Sequence, residues 1–296
     1  MNTLSVLLPP GMGDIYWVMC IIEDLLKVEG ADALDASISS APGGKDRSID
    51  YVKMISFIHT VDYYKWDSAR SRIWQETCTS GGRGVFRGIE GFDYLICLNG
   101  HLEGGKRIED TGYKVNYYPP LVLDQAGLNF GKDIKKRIGP YVVAFVADHN
   151  FYQRWLRGLP PDQLYAIFKG VREKIGCRVI LTGASWDNSI LNKYLLALSE
   201  GNGPLVNLIG KTSMSQLFGL FKASEGCIGH AAGNTIMSVV LRKPTVIIWN
   251  KFFGKKFWKN TCPPDSYGKW YLAADSDEHS SEDVVDMFLQ CRGNMQ

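Results

Sequence analysis

Leu4-Ser5-Val6-Leu7-Leu8-Pro9-Pro10-Gly11-Met12-Gly13-Asp14 is the stretch that decides the fold. A short apolar run meets two prolines, which neither a helix nor a central strand continues through, and then two glycines and an acid. Beyond it Val18, Ile21, Ile22, Leu25 and Leu26 recur at the spacing of one helix face, and Gly30 stands where such a helix stops. Strand, glycine turn and helix is the opening of an α/β fold.

The same alternation continues outward. Asp35 to Ser39 reads as a strand, Ile49 to Phe57 as a helix, Val61 to Trp66 as a strand and Ser68 to Cys78 as a weaker helix. Ser80 to Gly84 reads as a flexible loop, and Tyr94 to Leu98 as a strand opening into Asn99 to Gly105. A second series has strands at Tyr141–Ala147, Arg178–Thr182, Val206–Ile209, Cys227–Ile228 and Thr245–Trp249. Helices are expected at Pro161–Ile175, after a capping box at Ser213-Met214-Ser215-Gln216, at Gly233–Leu241 and at Ser281–Leu289. The charged, glycine-bearing segment from Asp124 to Pro140 suggests a boundary near 132–140. The expected organisation is a domain over 1–137, a second over 138–279, and a helix over 280–296 that packs back on the first domain. Two Rossmann-like, doubly wound parallel domains place their ligand in a central cleft at the C-terminal ends of the strands. Residues 100–135 are expected to line its acceptor side.

Composition narrows the class. The 296 residues are 45% hydrophobic and 22% charged, with 33 Lys+Arg against 31 Asp+Glu. This excludes collagen-like and wholly disordered chains and a polybasic nucleic-acid binder, but not a local basic patch. No segment reads as a signal peptide or a membrane span. The seven cysteines are scattered, without a CxxC pair, and mostly lie in apolar segments. A reducing, cytoplasmic setting and no structural zinc are expected.

Five places carry candidate chemistry. Asp14 either takes a proton from an acceptor hydroxyl or caps the helix. The turn is not a dinucleotide fingerprint, because Tyr16 occupies the third glycine position and an acid there repels a pyrophosphate. Gly229-His230-Ala231-Ala232-Gly233-Asn234-Thr235 has the small residues and helix start of a diphosphate cradle. Within it His230 is either a phosphate contact or a structural histidine. Arg154 and Arg157 suit bidentate phosphate contact, or belong to a solvated loop. Asp187, beyond Gly183, either accepts ribose hydroxyls or caps a following helix. Lys251 to Lys259 interleaves four lysines with four aromatics, including Lys255 and Lys256. That pattern suits nucleic acid or a base, or else a loop whose aromatics pack inward. No carboxylate cluster marks a magnesium site, and Asp275-Ser276-Asp277 reads as the polar entry to the last helix.

The arrangement resembles the heptosyltransferase-like glycosyltransferases of family 9, which have the GT-B fold. Gly11-Met12-Gly13-Asp14 resembles their opening Gly-x-Gly-Asp turn, and Phe92 to Leu98 their strand before an acceptor loop. Arg157-Gly158-Leu159-Pro160 stands roughly where the family has Lys-x-Trp-Pro. Val179 to Gly183, Asn207 to Ser213 and Gly233 to Val246 resemble three further blocks. The resemblance implies transfer of a sugar from a nucleotide-sugar donor with inversion, without a metal or other cofactor. Asp14 would be the general base. Gly13, Arg154, Arg157, Gly183, Asp187, Lys211, His230, Gly233, Asn234 and Thr235 would serve the donor. Asn99, His101, Glu103, Lys255 and Lys256 would serve the acceptor, either a glycan or a hydroxymethylated pyrimidine in DNA. The chain departs from the family where Ala231-Ala232-Gly233 replaces Asp-Thr-Gly and Ile236 replaces a histidine. A nucleotide-sugar epimerase of similar architecture and an inactive nucleotide-sugar-binding protein are the competing readings. Donor base, sugar and oligomeric state are left open.

Overall fold

Val6, Leu7 and Leu8 have no solvent exposure, since β1 (Thr3–Leu8) is the middle strand of a five-stranded sheet. The structure is a computed structural model. It describes residues 1–39, 48–64, 84–89, 91–98, 102, 104–146, 161–185, 187, 205–249 and 255–295, without the side chains of 161, 255 and 256. The chain divides into two units, Met1–Val122 and Leu123–Gln296.

In the first unit α1 (Met12–Glu29) is followed by β2 (Ala33–Ser39), α2 (Ser48–Val52), β3 (Ile58–Tyr64), β4 (Val85–Ile89) and β5 (Phe92–Ile96). The sheet order is β3-β2-β1-β5-β4. Its pairs are parallel except β4, which runs antiparallel to β5. α1 buries every residue from Ile15 to Ile22, then Leu25 and Leu26. Each large apolar side chain so buried contributes about 1.5–3 kcal/mol. Gly30 ends the helix in the left-handed conformation at φ 65°, as its position predicts. The chain from 113 to 118 then runs along α1. The Tyr16 hydroxyl donates to the Tyr117 carbonyl at 3.0 Å, and the Asn116 N–H to the Cys20 carbonyl at 2.7 Å.

Two expectations change here. The sheet is not wholly parallel, because Val85–Ile89 is an antiparallel edge strand where the sequence reads as the end of a glycine loop. Its half-exposed residues and Gly88 give only a weak strand pattern. Arg87 on that strand pairs with Glu29 at 2.6 Å and lies 5.3 Å from the Tyr94 ring centroid. The helix expected at Ser68–Cys78 lies outside the described residues.

The second unit contains α3 (Gln125–Ile138), β6 (Tyr141–Phe145), α4 (Pro161–Ile175), β7 (Arg178–Thr182), β8 (Leu205–Asn207), α5 (Met214–Ala223) and β9 (Gly226–His230). Then come α6 (Gly233–Val240), β10 (Thr245–Trp249), α7 (Lys255–Asn260), β11 (Tyr271–Asp275) and α8 (Ser281–Gly293). Its six parallel strands run β11-β10-β9-β6-β7-β8. Their near-continuous apolar character fits a sheet covered on both faces. The capping box forms as expected: Gln216 N–H donates to Ser213 Oγ at 3.1 Å, and Ser213 N–H to Gln216 Oε1 at 2.9 Å. Six of the cysteines, all but Cys78, are described and buried.

The domain assignment is corrected at two points. The division falls after Val122 rather than at 137, because 125–138 is not a linker but α3, packed on α5. Asp124 caps it by accepting the Gly127 N–H at 2.5 Å. Its glycines serve contact, not flexibility: a Cβ on Gly131 would collide with the Gly219 carbonyl. Residues 100–135 therefore do not form one segment. The C-terminal helix α8 packs on α4 and on β10 and β11 of its own unit. Val284, Val285, Phe288 and Cys291 enter that unit's core, and Lys174 of α4 pairs with Asp286 at 2.7 Å.

Candidate functional site

In an open α/β sheet, ligands bind beyond the C-terminal ends of the strands, where the strand order reverses. In the first sheet that point lies between β1 and β5, with β2 and β3 on the other side of β1. The turn from Pro9 to Gly13 follows β1, and Asn99, His101 and Glu103 follow β5. Those three residues lie outside the described residues.

Asp14 stands at this point but does not cap α1. The cap is Gly11, with φ 93° and ψ 130°, and its carbonyl accepts the Ile15 N–H at 3.0 Å. Asp14 is thus the third residue of the helix, where the positive end of the helix favours a carboxylate. It is half-buried, and its Oδ2 lies 3.2 Å from where a Cβ on Gly11 would stand. The positive φ favours glycine at position 11, and a Cβ there would crowd the Asp14 carboxylate. Gly13 is the second helical residue. The Gly-x-Gly spacing held the signal for Gly11, but only the φ angle says which glycine makes the turn.

In the second sheet the reversal falls between β6 and β9. β9 ends at His230, and the chain turns through Ala231 and Ala232 into α6. Gly233 and Asn234, the first two residues of α6, are half-exposed. N–H groups at these positions have no acceptor within the helix and stand at its positive end, which is the chemistry of an anion cradle. Thr235 does not join them. It has no exposure, accepts the Ala232 N–H at 3.1 Å, and its one hydroxyl proton lies between the His230 and Ala232 carbonyls at 3.0 and 2.8 Å. Its hydroxyl closes the turn in place of the side chain that Ala232 lacks.

His230 is 8% exposed, and among the described residues its Nε2 has no hydrogen-bond partner. Burial pushes its pKa down to about 4, so the ring is neutral near pH 7. Between pH 6.5 and 4 the unfolded chain binds a proton that the folded chain does not. Stability therefore falls as pH drops through that window and levels below it. His230→Gln is expected to remove this component. The stability difference between wild type and variant should change by about 3 kcal/mol between pH 7 and pH 4, measured by urea unfolding at both. A constant difference would show that the ring titrates normally in the fold.

The remaining donor-side residues form a separate group. Asp187 is 3% exposed, and its carboxylate accepts the Ala184 N–H at 2.8 Å. It holds the turn after β7. The Gly183 carbonyl accepts the Gly210 N–H at 3.0 Å, joining this turn to that after β8. Lys211 follows on the exposed rim, donating to the Asn207 carbonyl at 3.3 Å. It lies three strands from β9, about 14 Å at ordinary strand spacing. Arg154 and Arg157 belong to the segment after β6, outside the described residues.

The basic-aromatic stretch packs inward where it is described. Phe257 and Trp258 are 6% and 3% exposed, against Trp249 at ring distances of 5.6 and 6.3 Å. These rings are core and offer no free face to a base. Lys255 and Lys256 open α7, and their side chains are outside the described residues. Asp275 accepts the Asp277 N–H at 2.9 Å, forming the turn before α8 as expected. Among the described residues no group of three or more His, Cys, Asp or Glu is placed to hold a metal, and no helix is long and apolar enough to cross a membrane.

No family model matches the chain, and no curated protein does. Among solved structures it is similar to the ADP-heptose lipopolysaccharide heptosyltransferase II of E. coli, at 12% identity over 100% of this chain and 99% of that one, with a TM-score of 0.64. It is similar also to a family 9 glycosyltransferase from Veillonella parvula, at 10% identity over 98% of each chain and a TM-score of 0.61. The E. coli heptosyltransferase WaaC with ADP follows at 12% identity, over 98% of this chain and 99% of that one, with a TM-score of 0.59. At these identities the likeness is one of fold. The chain has the α/β GT-B fold expected from its sequence, shared with heptosyltransferases along its whole length.

Proposed function

We propose that the protein is an inverting glycosyltransferase that moves a sugar from a nucleotide-sugar donor to a hydroxyl of a glycan. The observation that carries this reading is the pair of turns at the two sheet reversals. One presents a carboxylate, Asp14, and the other presents main-chain N–H groups at Gly233 and Asn234. Asp14 takes the proton of the acceptor hydroxyl as that oxygen attacks the anomeric carbon. The bond from the anomeric carbon to the donor diphosphate breaks, and the diphosphate leaves with its charge held at the start of α6. A single displacement of this kind inverts the anomeric centre. The fold shared with the WaaC structure, which holds ADP, supports a nucleotide-containing donor.

A glycan acceptor is favoured over a DNA base. Phe257 and Trp258 are buried and Arg87 is paired with Glu29, so these residues supply neither stacking nor free phosphate contacts. The test is a thermal-shift series with nucleoside diphosphates and nucleotide sugars. A ligand at a hundred times its Kd adds about 2.7 kcal/mol to native stability, a rise of roughly 5–10 °C for a unit of this size. Gly233→Asp, which places a side chain and a negative charge in the cradle, should abolish the shift. No shift with any donor sinks the reading. An epimerised donor formed without acceptor would assign the site to an epimerase instead.

A further inference from the structure

We propose that a groove at the N-terminal ends of strands in the second sheet binds a compound carrying several phosphate groups. The groove, of about 490 Å³, is lined by Lys132, Lys135, Lys136, Lys222 and Lys243, with Glu225 as its one acid. Lys132, Lys135 and Lys136 stand on α3, Lys222 on α5 and Lys243 just before β10. Glu225 directly precedes β9, so the site lies at the N-terminal ends of parallel strands, away from the α6 turn.

The packing of α3 on α5 creates this concentration of charge. Gly127 and Gly131 meet Ser215 and Gly219 in matching order, so the helices run parallel at backbone contact, with their C-terminal ends toward the same side. Lysines at two helix C-termini have an ordinary role, to offset the negative ends of the helices, but each end carries only about half a charge. Five lysines exceed two helix ends and one carboxylate. Two are engaged: Lys135 pairs with Glu225 at 2.9 Å, and Lys243 donates to the Ser224 carbonyl at 3.1 Å. Glu225 is further committed to Arg292 at 3.2 Å. Among the described residues Lys132, Lys136 and Lys222 have no carboxylate partner. Lys243 is partly buried, and burial first, then Lys135, lower its pKa from the ordinary lysine value. Clustered phosphates supply the charge-assisted hydrogen bonds these ammonium groups lack. A free oligophosphate and a phosphorylated lipid headgroup share that chemistry.

The test is calorimetric titration of the full chain with inorganic tripolyphosphate, beside sedimentation with phosphatidylcholine vesicles that do or do not carry phosphatidylinositol bisphosphate. Wild type should bind tripolyphosphate or the phosphatidylinositol bisphosphate vesicles, and which of them names the source. The combined variant Lys132→Gln, Lys136→Gln and Lys222→Gln keeps the apolar stems, and should weaken that binding at least about tenfold with an unchanged melting temperature. Gly233→Asp should leave it intact, which separates this site from the nucleotide-sugar reading. No binding by wild type, binding that the lysine variant retains, or binding abolished by Gly233→Asp overturns the proposal.

Discussion

Asp14→Asn is expected to lower sugar transfer by about 10²–10⁴-fold while leaving nucleotide-sugar binding within about twofold of wild type. The amide keeps the size and the place in the first turn of α1 but cannot accept the acceptor proton. The proposed donor cradle is a turn in the other unit, so the thermal shift with nucleotide sugar should survive. The loss should fall on kcat rather than on donor KM, since the carboxylate acts as the proton moves. A variant with full turnover would remove Asp14 from the mechanism. A variant that lost the thermal shift would make it a donor contact or a folding residue instead.

Gly219→Ala should have the largest effect on stability, at about 3 kcal/mol or more, with the urea midpoint of the second unit falling by roughly 1 M or more. A Cβ at this position would run into the Gly127 carbonyl and lie 3.2 Å from the Leu128 nitrogen. Both are main-chain atoms of α3, so no rotamer change relieves the clash and the helices must part. Gly293→Ala is the control: it ends α8, and nothing lies within 4 Å of its added Cβ. Its effect should stay within about 0.5 kcal/mol. An unchanged midpoint for Gly219→Ala would mean that α3 and α5 do not touch as described.

The first strand, turn and helix were legible because their signals are local. An apolar run, a Pro-Pro-Gly break and a 3.6-residue period leave few alternatives, and Gly30 closes α1 where the pattern stops. β11 and β4 are illegible in the sequence for the opposite reason. Tyr271-Leu-Ala-Ala-Asp has little apolar contrast, and each of these strands is an edge that pairs on one side only. In α3 the glycines that suggested a linker are those that press it onto α5. A glycine that avoids a collision and one that loosens a chain look alike until the neighbour is known.

The candidate site divides the same way. The sequence alone determined that a carboxylate follows the first strand within a Gly-x-Gly turn, and that a run of small residues precedes a helix after Gly229. Both follow from spacing along a continuous chain. The tertiary structure decided which of these residues face outward. It made Gly11 the cap and placed Asp14 in the helix, turned Thr235 back onto its own backbone, buried Asp187 against Ala184 and left His230 Nε2 without a partner among the described residues. It also gathered five lysines from three separate stretches around one groove. Burial and hydrogen-bond partners come from segments distant in sequence, and no local pattern carries that information.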